Sequence, residues 1–142
     1  MGDYAAGTFR RPLSATDAEQ ILMRTEIFAY GGMNNFPHPE AFDVLSNQPD
    51  ALEIARRLAK GARPAGRLFA LCMLKRLEAL SSSRTNRPES YEIEALAVAL
   101  AESTGRVEHI ESDVVGMPTI PELVVKILNR GIWKYVGTDR RR

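Results

Sequence analysis

The reactive side chains of this 142-residue chain are few: two histidines, His38 and His109, a single cysteine, Cys72, and scattered carboxylates. His109, Glu111 and Asp113 alternate along one segment, so an extended backbone would set all three on one side, the pattern of an acid–base or ligand cluster. Catalysis there would also need a nucleophile within reach, and the sequence identifies none. Neither histidine has a partner at metal-ligand spacing such as His-Glu-x-x-His, so no metal and no cofactor is expected. The plain reading of 109–113 is a solvated polar edge, with a small-ligand or enzyme site at His109, Glu111 and Asp113 as the alternative.

Cys72 stands between Leu71 and Met73 in an apolar run, where burial keeps a thiol protonated and inert. Gly61 and Gly66 have the first spacing of a phosphate-binding loop, but Arg67-Leu68 follows where Lys and Ser or Thr are required. The stretch from Gly31 to Pro39 offers flexible backbone, the amides of Asn34 and Asn35 and the ring of Phe36, which makes it a candidate binding loop. The plainer expectation is that Phe36 plugs the interior.

Charge is organised in blocks. Residues 1–55 carry a net −5, residues 56–87 a net +8, residues 88–125 a net −7 and residues 126–142 a net +5, which together leave +1. Arg56, Arg57, Lys60, Arg63 and Arg67 crowd one joint, and Glu89, Glu92, Glu94 and Glu102 follow on a later segment. Oppositely charged helix edges facing each other would explain this, each exposed pair contributing about 0–1 kcal/mol. The sharper reading is a polarised face that steers a protein partner of complementary charge. Nucleic acid is a third option at Arg56–Arg67, disfavoured by the acidic neighbours and the lack of interleaved aromatics for stacking.

The elements that must position these groups read as helices. Thr16 and Glu19 have capping-box spacing, and Ala18, Ile21, Leu22 and Phe28 place one apolar face on a helix that ends at Tyr30-Gly31-Gly32. A short helix is predicted from Pro39 to about Leu45, and another opens at Pro49 and stops at Gly61. Pro64 opens a third, apolar nearly all round through Leu80, which must therefore be central. After a polar connection over 81–90, a helix is predicted for Tyr91–Ser103, with Ile93, Leu96, Ala97 and Leu100 inward. Residues 107–117 read as irregular, with at most one short strand or hairpin. Thr119 to Glu122 starts a last helix that buries Leu123, Val124, Ile127 and Leu128 and ends at Gly131, with Ile132–Val136 packing back. Residues 1–13 read as an extended arm and 137–142 as a frayed basic tail.

Composition, with 44% apolar and 26% charged residues, fits one globular domain over 1–142. There is no apolar run of the roughly 20 residues that span a bilayer. Met1-Gly2-Asp3-Tyr4 lacks a signal-peptide pattern, and Ala6 stands where myristoylation wants Ser or Thr. The cytoplasm is the expected compartment, and no membrane partner is expected. The segment Arg63-Pro64-Ala65-Gly66-Arg67-Leu68-Phe69-Ala70-Leu71 resembles a motif of small bacterial α-helical proteins with HEAT-like packing. That resemblance implies fold alone and brings no catalytic residues. The expected fold is all-α, a compact irregular helical bundle or a HEAT-like stack of hairpins. The expected function is a non-catalytic interaction module, of the immunity or adaptor type, that binds one protein through Arg56, Arg57, Lys60, Arg63, Arg67 and the loop residues Asn34, Asn35 and Phe36.

Overall fold

Ser14 starts the chain's first helix by accepting the backbone N–H of Asp17 on its hydroxyl at 3.0 Å, which satisfies one of the donors a helix leaves unpaired at its start. The computed structural model describes residues 12–31, 36–112 and 114–137. Helix α1 spans Ala15–Arg24 and buries Ala18 and Leu22. Ser14, rather than the expected Thr16, is thus the cap. The helix also ends earlier than its apolar pattern suggested. Thr25 is extended, and Ile27–Tyr30 form strand β1. Phe28, Ala29 and Tyr30 are all buried there, and a short apolar run buried on both sides carries no period that separates strand from helix.

Four helices follow: α2 (His38–Ser46), α3 (Ala51–Gly61), α4 (Pro64–Leu80) and α5 (Ser90–Ala101). Pro64 and Pro39 lie in the first turns of α4 and α2, where a missing N–H costs nothing. Asn86, in a single 3₁₀ turn (Arg84–Asn86), accepts the Leu52 N–H at 2.9 Å and so closes the start of α3 from a distance. Helix α4 is the hub, as its apolar circumference requires. Leu68 through Leu74 are all buried, and it touches α1, α2, α3, α5, the last helix and β1. Gly66 permits a close approach to α1, because a methyl group at that position would overlap the Leu22 carbonyl oxygen.

The expectation of an all-α fold is corrected by a small sheet. Strand β2 (Glu108–Glu111) lies parallel to β1, pairing Phe28 with His109 and Tyr30 with Glu111. Strand β3 (Val114–Gly116) returns antiparallel, pairing His109 with Gly116. The order is β1-β2-β3: the hairpin allowed for over 107–117 forms, and what was not expected is that β1 pairs with it and makes β2 the middle strand. Gly31 makes the junction possible: its φ is +104°, and a side chain there would strike the Ser112 backbone, whose N–H donates to the Tyr30 carbonyl at 2.8 Å. Helix α6 (Ile120–Asn129) opens where expected, at Thr119, and a capping box between Thr119 and Glu122 closes its start. Ile132–Tyr135 form a 3₁₀ turn that delivers Val136 into the core. One apolar cluster draws on all six helices, β1 and Val136. The architecture is mostly helical with one three-stranded sheet. Among the described residues no helix is long and apolar enough to cross a membrane. The arm expected over 1–13 and the tail over 137–142 lie almost wholly outside the described residues.

Candidate functional site

Cross-strand partners project to the same side of a sheet, so the pairings above set His109 beside Phe28 on one flank and Gly116 on the other. The imidazole stacks on Phe28, with ring centroids 5.8 Å apart, and its Nε2 lies 2.9 Å from the Tyr30 hydroxyl. His109 is only 6% exposed, contrary to the solvated edge expected for this segment. Packing of two aromatic rings from β1 overrides the polar appearance of the segment 108–113, because a neutral imidazole is itself half apolar.

Electrostatics keep it neutral. Burial pushes the His109 pKa down, the Lys126 ammonium pushes it further, and Glu111 opposes both. Burial likewise raises the Tyr30 phenol, with Glu111 adding to the effect, so the hydroxyl stays protonated. Either atom of the Tyr30–His109 bond can hold its proton. When the phenol donates, His109 turns an Nδ1–H outward, and when the ring donates, it turns a lone pair outward.

Among the described residues Nδ1 of His109 has no hydrogen-bond partner, and it is not sealed from solvent. The ring forms part of the wall of a cavity of about 380 Å³ with Glu111, Val114, Gly116, Met117, Pro118 and Lys126. Two of the three residues of the predicted polar cluster, His109 and Glu111, thus reach one cavity. Asp113, the third, lies outside the described residues. Sequence reading missed Tyr30, which it placed at the end of a helix, and Lys126, whose position on α6 carries no local signal linking it to His109.

His38 occupies a different interior site. Its Nε2 lies 2.7 Å from the Thr25 hydroxyl, its ring stacks on Phe69 at 5.7 Å, and its Nδ1 is buried without a partner. Burial lowers its pKa to about 4. Phe36 is 39% exposed and packs edge-on against the His38 ring instead of plugging the core. Asn34 and Asn35 lie outside the described residues. Cys72 is fully buried, and desolvation raises its thiol pKa, which makes it inert as expected.

The basic cluster does not form a single face. Arg56 grips Glu92 of α5 through two bonds of 2.8 and 3.0 Å, and Arg57 grips Glu19 of α1 through two of 2.8 and 2.9 Å. Arg63 pairs with Glu26 at 3.2 Å. These contacts join the positive block to the acidic blocks on either side of it. They hold Glu19 and Glu92 below the usual carboxylate range through the arginine hydrogen bonds. Arg56, Lys60 and Arg67 still line one groove of about 300 Å³ with Leu74, Ala95, Leu96 and Ala99. Among the described residues no group of three or more His, Cys, Asp or Glu side chains could hold a metal ion. Comparison with protein-family models, with curated proteins and with solved structures gives no match.

Proposed function

We propose that the protein binds a small polar molecule, without covalent chemistry, in the cavity between the β2–β3 hairpin and α6. The observation that supports this most is the set of groups at its wall: a buried, neutral imidazole fixed by Tyr30, with an unsatisfied Nδ1, next to a carboxylate and an ammonium. Rigid presentation by a strand and a hydrogen-bonded second residue is what a specific recognition group requires. A lone buried thiol fits the cytoplasm as its compartment.

Gly116 provides the test. It pairs with His109, and a Cβ built on it meets nothing closer than Pro118 Cδ at 3.9 Å, so a leucine there fits the backbone and fills the cavity. Saturation-transfer NMR against a mixture of small carboxylates, amines and zwitterions should find binders to the wild type that Gly116→Leu no longer binds. Equal binding by both, or no binder, would refute the reading.

A second reading is an adaptor-type protein that takes an acidic partner protein in the groove lined by Arg56, Lys60 and Arg67. Its support is that Lys60 makes no ion pair among the described residues and stands over an apolar floor. Lys60→Glu combined with Arg67→Glu should abolish capture of such a partner in the second reading and leave small-molecule binding unchanged in the first.

A further inference from the structure

The wall charges of the His109 cavity say more about its occupant. Lys126 and Glu111 line the same cavity, yet among the described residues neither forms an ion pair with the other or with any other group, although Glu122, one turn earlier on α6, lies within the field of the Lys126 ammonium. The separation is built in, since Lys126 rises from α6 and Glu111 closes strand β2, and both elements are anchored by buried neighbours, Ile127 and Ile110. His109 stands within the field of both groups, which act on it with opposite sign. The remaining wall is apolar, from Val114, Met117 and Pro118. A ligand with one charge would meet one wall group and leave the other without a counter-charge, whereas a ligand carrying both signs meets both.

Resting on the small-molecule reading above, we propose that the cavity takes a zwitterion of the amino-acid type: its carboxylate meets Lys126 and the Nδ1–H of His109, its ammonium meets Glu111, and an apolar side chain lies on Val114, Met117 and Pro118. The Tyr30 hydroxyl sets this polarity. In the form in which it donates to Nε2, the one a bound carboxylate selects, His109 is an uncharged donor toward the carboxylate, so the imidazole adds direction without upsetting the balance of one positive and one negative wall group. A cavity of about 380 Å³ falls in the range that holds molecules of this size.

The experiment follows the His109 imidazole by proton–carbon NMR in the full chain, with His38→Phe as background to leave one imidazole signal. Three matched probes are titrated at pH 7.5: L-leucine, 4-methylpentanoate, which lacks the ammonium, and isopentylamine, which lacks the carboxylate. L-Leucine should saturate the shift at a concentration about tenfold or more below either half-ligand, since each charge-assisted contact is worth at least that factor. Lys126→Met should remove the advantage of leucine over isopentylamine, and Glu111→Gln its advantage over 4-methylpentanoate. Lys126 is half-buried and Glu111 is exposed at the cavity mouth, so neither variant opens the core. Should 4-methylpentanoate bind as well as leucine, the zwitterion assignment falls while the cavity survives as a small-molecule site. Should leucine leave His109 unmoved, the assignment also falls, and the mixture screen with Gly116→Leu then decides whether the broader reading falls with it.

Discussion

The Tyr30 hydroxyl lies 2.9 Å from Nε2 of His109, a buried bond between residues 79 positions apart. It ties the two parallel strands together at the side-chain level and fixes the orientation of the one imidazole that reaches the cavity. Both rings also pack with Phe28, so shape and hydrogen bonding agree on a single arrangement.

Removal of that hydroxyl is therefore the most specific test of the scaffold. Tyr30→Phe keeps the edge-on contact with Phe28 but leaves Nε2 of a buried histidine unpaired. We expect a loss of about 1–3 kcal/mol, the usual penalty for an orphaned buried polar group. Urea unfolding followed by circular dichroism measures it, and an unchanged midpoint would show that the bond does not form.

Acid should weaken the fold through His38. Its pKa is about 4 in the folded protein against 6.5 ordinarily, because burial disfavours the cation. Above pH 6.5 the ring is neutral in both states and contributes nothing to pH dependence. As pH falls from 6.5 toward 4 the unfolded chain takes up a proton that the folded chain refuses, so stability drops. The full loss, reached below pH 4, is about 3 kcal/mol. His38→Phe preserves the stacking on Phe69 and should flatten this part of the stability–pH curve, whereas the same slope in the variant would place the effect elsewhere.

Gly66 should tolerate no side chain. Alanine there favours the helix by itself, by about 1 kcal/mol, yet its methyl group meets the Leu22 carbonyl and the Ala62 methyl. Overpacking wins, and Gly66→Ala is expected to destabilise the protein by about 1–3 kcal/mol. A raised melting temperature in a thermal scan would show that α1 and α4 stand further apart.

The ion pairs that consume Arg56 and Arg57 lie at the surface, so their worth is small despite two-bond geometry. Double-mutant cycles pairing Arg56→Gln with Glu92→Gln, and Arg57→Gln with Glu19→Gln, should give coupling energies of about 0.2–1 kcal/mol each. They should shrink in 1 M salt, where the screening length is about 3 Å. Coupling well above this range would make the arginines structural keystones.

The helices were legible because local rules govern them. Pro64 at the start, Gly61 as a stop, the Thr119–Glu122 opening of α6 and the apolar girth of α4 each follow from neighbouring residues. The sheet was not legible, because β1 is four residues long and its partner lies 81 positions away, so nothing local distinguishes Ile27–Tyr30 from the last turn of α1. The same distance hides the site. His109 and Glu111 stood out as a polar alternation, but the aromatic neighbours that bury His109 come from β1, and the ammonium that biases it comes from α6. Charge blocks were visible in the sequence, and their pairing into Arg56–Glu92 and Arg57–Glu19 required the tertiary arrangement that brings α3 within side-chain reach of α5 and α1.

The most direct measurement is the titration of the His109 imidazole by NMR in the wild type, in Lys126→Met and in Glu111→Gln. With the ring placed between an ammonium and a carboxylate at the wall of one cavity, the wild-type pKa should lie below 6.5. It should rise when the ammonium is removed and fall when the carboxylate is removed. A midpoint at or above 6.5, or one that neither substitution moves, would contradict the account.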